Sequence, residues 1–220
     1  MGPPRITFYF DIGSPFSYTA FHVLQNSPLF TECIIDYVPV LLRDLFQKCQ
    51  NPPPILVKNK AQWINRERLY WARRFGVPMT EAVPKGFPAS TIDAQTVLSL
   101  IAESSPEKLV GVTGQLFHTF WAKGDTSIST AANLFPLIER ELDQEVASRI
   151  LQVAENLESK ELLTDNTQRA FDSGAFGLPW FECINADGEK EGFWGIDHLG
   201  RVADFLHLNT SLDQSFRVLL

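Results

Sequence analysis

The chain has 220 residues, 45% of them hydrophobic, including 17 Phe and 5 Trp, so it can bury a sizeable core dominated by aromatic packing and is not a disordered protein. A net charge of −7 without any block of Lys or Arg removes the electrostatic footprint of a nucleic-acid binder. Three widely separated cysteines, Cys33, Cys49 and Cys183, fit neither a disulfide framework nor a zinc site and point to a reducing compartment, and no apolar run approaches the length of a membrane span.

The first predicted element is a strand over residues 8–12, apolar and aromatic, running directly into a turn at Gly13. Ser14 and Pro15 then suit the N-cap and N1 positions of a helix, where a hydroxyl can accept an orphan N–H and proline forfeits no donor. The outcome is a hydroxyl at the positive end of a helix dipole, a place that favours an anion. Capping alone also explains Ser14. A second strand is expected over residues 34–40, ending near Pro39, with Cys33 and Cys183 as small core residues in strands.

Gln50-Asn51-Pro52-Pro53-Pro54 reads as a stiff, extended arm. Helical patterns follow at residues 60–75, 93–102, 107–121, 131–142 and 144–157, broken at Pro106, Gly124 and Asp143. They form an all-helical insertion of roughly a hundred residues. Beyond it comes the loop Gly174-Ala175-Phe176-Gly177-Leu178-Pro179, then an apolar strand from Trp180, a turn at residues 185–188, another strand, and a last helix over residues 198–206 that Asp197 would cap. A cis Leu178–Pro179 bond would make that loop a fixed device.

Other chemistries find no support. Ser14 lies outside a G-x-S-x-G elbow, His22, His118, His198 and His207 lack metal-ligand spacing, and no glycine-rich phosphate loop follows a strand. No metal is indicated.

This order of elements is that of a thioredoxin-type domain, and Ser14-Pro15-Phe16-Ser17 stands where disulfide oxidoreductases of that superfamily carry Cys-x-x-Cys. Together with Phe8-Tyr9-Phe10-Asp11, Phe176-Gly177-Leu178-Pro179 and Trp194-Gly195-Ile196-Asp197, it resembles the kappa-class glutathione transferases and the related 2-hydroxychromene-2-carboxylate isomerases, from residue 6 to residue 206. The resemblance implies an α/β fold: a discontinuous thioredoxin-like domain of residues 1–55 and 170–220 with a helical domain, residues 56–169, inserted. It implies glutathione as co-substrate, a small apolar electrophile as its partner, and a homodimer in the cytoplasm, mitochondrion or peroxisome.

By the same resemblance Ser14 activates the glutathione thiolate, with the amides near Phe16 and Ser17 in support. Leu178, held by Pro179, pairs with the cysteinyl backbone; Asn51 and Lys60 meet the peptide and the glycyl carboxylate. Asp197 meets the γ-glutamyl ammonium, and Ile196, where these families usually carry Ser or Asn, offers only its backbone N–H. Phe16, Trp63 and Trp180 would wall an apolar pocket. An isomerase using the same thiolate, or a non-catalytic thioredoxin-like binding module, are the alternative functions.

Overall fold

A computed structural model describes residues 2–154 and 156–218. Its centre is a four-stranded sheet of β1 (Arg5–Phe10), β2 (Ile34–Pro39), β3 (Trp180–Ile184) and β4 (Lys190–Trp194), in the order β2-β1-β3-β4. The first two strands are parallel, pairing Phe8 with Tyr37 across a connection that contains α1 (Pro15–Asn26). The remaining pairs are antiparallel, with Phe8 opposite Phe181 and Trp180 opposite Trp194. Alternation along β1 sends Ile6, Phe8 and Phe10 to one face, where they meet α1 and Phe181, and Tyr9 to the other, with Val38, Leu178 and Trp180.

The helices after β2 are α2 (Leu42–Lys48), α3 (Lys60–Arg74), α4 (Ile92–Ser104), α5 (Pro106–Phe117), α6 (Ala131–Glu141), α7 (Gln144–Ala154) and α8 (Leu157–Asp172), with α9 (Leu199–Phe205) following β4. The fold is thus α/β and thioredoxin-like with a helical insertion, as expected. No helix among the described residues is long and apolar enough to cross a membrane.

Several boundaries differ from the sequence reading. β1 runs from Arg5 to Phe10, so Asp11 and Ile12 lie beyond the strand, and Cys33 lies one residue before β2. α2 was not anticipated because it is only seven residues long and its N-cap, Leu41, makes no side-chain cap. Nor was α8, whose buried positions include the polar Ser159 and Thr167 beside Leu163 and Ala170, which weakens the apolar periodicity. The predicted helix over residues 107–121 divides at Phe117 into a wider π-helical turn, His118–Ala122.

The inserted helices share the core of the sheet. Phe117 of α5 stacks on Tyr18 at 5.3 Å between ring centroids and lies 5.8 Å from Phe10. Gln95, fully buried on α4, donates to the carbonyls of Phe10 and Val40 at 2.8 and 2.9 Å, and its own oxygen accepts from Ile12 N–H at 3.4 Å. The π-helical turn aims Trp121 so that Nε1 donates to Ile12 O at 2.8 Å. Backbone groups that lose their strand partners at the ends of β1 and β2 are thereby satisfied by the insertion.

A capped serine facing a cis-proline loop as candidate active site

Ser14 is the N-cap of α1, with φ −97° and ψ 115°. Its Oγ accepts from Ser17 N–H at 3.1 Å and donates to the carbonyl of Leu178 at 3.3 Å. The serine is 3% exposed. No acidic side chain occupies the first turn of α1, so nothing there offsets the positive end of its dipole. The Ser17 amide, one of the two expected beside a bound anion, is engaged by Ser14 itself as its N-cap bond. Ser17 Oγ is buried without a hydrogen-bond partner.

The Leu178–Pro179 bond is cis. From this loop two contacts draw in the remaining residues of the site. Asn51 Nδ2 donates to Phe176 O at 3.3 Å, anchoring the arm that precedes α3. Gly195 N–H donates to Pro179 O at 3.0 Å, which brings the turn after β4 beside the loop. Gly195 has φ 92°, a value open mainly to glycine, and the chain then enters a 3₁₀ turn, Ile196–His198. Asp197 lies within that turn and does not cap the following helix, whose N-cap is His198. Its exposed carboxylate is 3.5 Å from His198 Nδ1. The side chain of Ile196 is buried in the core.

Other expected residues are placed less directly. Lys60 is exposed at the first position of α3, a helix that packs against α1, and its side chain makes no hydrogen bond or ion pair among the described residues. A cation at a helix N-terminus opposes the dipole, so two positive features converge where no internal anion answers them. Trp63 is 52% exposed on the same helix, whereas Trp180 is buried on the opposite sheet face from Phe16. Trp180 is therefore a core side chain, and the expected pocket wall of Phe16, Trp63 and Trp180 is not assembled. The aromatic surface beside the loop is instead Phe176 and Trp194, 42% and 44% exposed, with ring centroids 5.0 Å apart.

Asp11 was missed. It is buried, its Oδ1 accepting Gly13 N–H at 2.8 Å and its Oδ2 accepting Leu42 N–H at 2.9 Å and the Thr91 hydroxyl at 3.1 Å. Burial raises its pKa, while the hydrogen bonds from Gly13, Leu42 and Thr91 pull it back down. The carboxylate joins the turn before Ser14 to the start of α2 and to the loop ahead of α4. An acid two residues before a glycine is the signature of an Asx-turn, and was the available clue.

Residues 5–207 match the DSBA-like thioredoxin domain family. A rat protein named glutathione S-transferase kappa 1 is 29% identical over 214 residues, covering 94% of this chain and 93% of its own. A 2-hydroxychromene-2-carboxylate isomerase of Sphingobium xenophagum is 26% identical over 212 residues, covering 91% and 97%. A solved 2-hydroxychromene-2-carboxylate isomerase superposes with a TM-score of 0.71 at 20% identity over 92% of this chain and 94% of that one. Matched by the family model over nearly its whole length, this chain belongs to the DSBA-like thioredoxin domain family.

Proposed function

We propose that the protein is a glutathione transferase of the kappa type, in which Ser14 holds the glutathione sulfur as a thiolate for attack on a small apolar electrophile. The reading rests on one observation: the Ser14 hydroxyl stands at the N-terminus of α1 and its proton is directed at the carbonyl of Leu178, 3.3 Å away. An extended peptide pairing with Leu178 supplies a backbone N–H to that carbonyl. Ser14 O–H is then free to turn to the sulfur, and binding and thiolate stabilisation are coupled through one acceptor.

The magnitudes suffice. Lowering a thiol pKa from about 8.5 by two units takes about 2.7 kcal/mol. A hydrogen bond to a charged acceptor contributes about 1.5–3 kcal/mol and a helix N-terminus about 0.3–2 kcal/mol. Serine also avoids the mixed disulfide that cysteine would form with the co-substrate. Asn51 and Lys60 would hold the glycyl end and Asp197 the γ-glutamyl ammonium, with Phe16, Ser17, Pro179 and Ile196 shaping the site through backbone and packing. Phe176 and Trp194 supply an apolar surface for the electrophile.

The named relatives support the class of chemistry, and the similarity to the Sphingobium isomerase at comparable identity keeps a second reading: reversible thiolate addition to an unsaturated carboxylate, giving cis-trans isomerisation. One experiment addresses both. Ultraviolet absorbance of bound glutathione as a function of pH reports the thiolate, first in the protein and then in Ser14→Ala. The expected result is a raised thiol pKa in the variant and conjugation slowed about 10- to 100-fold. Unchanged turnover removes Ser14 from the mechanism. Turnover of a hydroxychromene-type substrate without conjugation to any electrophile selects the isomerase.

A further inference from the structure

The turn that presents Ser14 is held by the inserted helices. Asp11, Ile12 and Gly13 lie between the end of β1 and the start of α1, beyond the last paired residue of the strand. Ile12 is buried there, so its backbone groups need partners within the protein. Gln95 Oε1 accepts the Ile12 N–H at a long 3.4 Å, whereas Trp121 Nε1 donates to the Ile12 carbonyl at 2.8 Å. The closer grip on the turn therefore belongs to Trp121, and it falls two residues before the hydroxyl that faces Leu178.

Trp121 is itself confined on every side. It lies in the π-helical turn, where Lys123 N–H reaches back to His118 O at 3.0 Å, and such turns are rare inside helices and recur at functional sites. Its indole meets Phe120 and Phe87 at 5.1 and 5.3 Å between ring centroids, and the Arg68 guanidinium lies 5.8 Å over it. Arg68 is 2% exposed, and its donors go to Asn65 Oδ1 and to the carbonyls of Thr80, Glu81 and Ala82, at 2.7 to 3.0 Å. Thr80 N–H in turn donates to Trp121 O at 2.8 Å, so the ring and the backbone of Trp121 are fastened to one network. The indole thus passes the position of the insertion to the turn before Ser14. That position matters chemically, because misplacing a catalytic group by about 1 Å can cost roughly 100-fold in rate.

We propose that Trp121 is a positioning residue of the thiolate site: by holding the Ile12 carbonyl it keeps the Ser14 hydroxyl within reach of the glutathione sulfur. This rests on the role assigned to Ser14 above, and a double-mutant cycle of Trp121→Phe and Ser14→Ala separates the two. Trp121→Phe keeps an aromatic ring against Phe87 and Phe120 and removes the N–H. In each variant the thiol pKa of bound glutathione is read by ultraviolet absorbance, beside glutathione affinity and the single-turnover conjugation rate. Trp121→Phe should raise the thiol pKa by about half a unit to one unit and slow conjugation about 3- to 10-fold. Affinity for glutathione should stay within about twofold of wild type, the pattern of a group that acts on the chemical step. In the Ser14→Ala background the same substitution should leave the thiol pKa where Ser14→Ala alone puts it. Ile138→Val removes one buried methyl group from α6 of the same insertion and should leave the thiol pKa unchanged, which a general loosening of the insertion would not do. An unshifted thiol pKa in Trp121→Phe, beside a shift in Ser14→Ala, overturns the proposal and leaves the role of Ser14 standing. An equal rise from Trp121→Phe with and without Ser14, or an equal rise in Ile138→Val, overturns it as well. No shift in Ser14→Ala removes both.

Discussion

The Ser14 hydroxyl already donates one hydrogen bond and accepts another within the protein, and the same oxygen is asked to serve a ligand. Capping residues are worth about 1 kcal/mol, so Ser14→Ala should lower stability by about that amount while its chemical effect is larger. Equilibrium urea unfolding beside single-turnover conjugation separates the two. Asp11 behaves differently, because its partners Gly13 N–H and Leu42 N–H can only donate, and only the Thr91 hydroxyl can accept a proton held on the carboxyl. Burial raises its folded-state pKa above the ordinary 3.8. Asp11 therefore contributes most to stability below that value, and the contribution is lost as pH rises through the folded-state pKa. The unfolding free energy of wild type minus that of Asp11→Asn should fall as pH increases from about 4 towards neutrality, measured by urea titration at each pH. A difference that grows with pH would mean that the three donors outweigh burial.

At the scale of elements, the strand ends of the sheet are closed by helices that are distant in sequence. Gln95→Ala removes the donors to Phe10 O and Val40 O and the acceptor for Ile12 N–H, all buried, and should cost about 2–4 kcal/mol of unfolding free energy. Because Ile12 precedes Ser14 by two residues, a slower conjugation rate should accompany the loss. Another element-level constraint sits in β4. Gly192 lies against the indole of Trp180, and a Cβ at that position would run into the ring. Gly192→Ala should destabilise the protein by about 1–3 kcal/mol, read from the shift in urea midpoint. A neutral result would show that Trp180 can leave its place on the second sheet face.

At the scale of the molecule, one hydrophobic cluster runs from the sheet through α1 into the inserted helices, with Phe8, Phe21, Phe117 and Trp121 in continuous contact. The C-terminal segment is fastened to the same body: Phe216 packs on Phe30 and Phe75, and Asp213 accepts from the Ser27 hydroxyl at 2.6 Å. A shared core makes independent melting of the insertion unfavourable. Tryptophan fluorescence, which samples Trp121 in the insertion and Trp180 and Trp194 in the sheet region, and far-ultraviolet circular dichroism should give coincident unfolding transitions. Two separated transitions would mean that the helical segment is an autonomous domain.

The amino-acid sequence determined much of this by local means. The apolar run of β1, the cap and proline of α1, the proline before β3 and the helical spacing of α3 to α7 all act within a few residues, where backbone sterics and side-chain periodicity are readable directly. Ser14 and the loop at Leu178 could be nominated on that basis, together with the family resemblance. α8 could not, since its buried face mixes threonine and serine with leucine, and their polarity is tolerated only because each hydroxyl finds a carbonyl within the fold. The tertiary structure alone decided that Asp11 clasps three segments and that Trp180 is core. Each of these depends on which groups, up to 80 residues apart for Asp11 and Thr91, are brought within hydrogen-bond or van der Waals distance. Such pairings follow from packing around one core, which local sequence spacing does not encode.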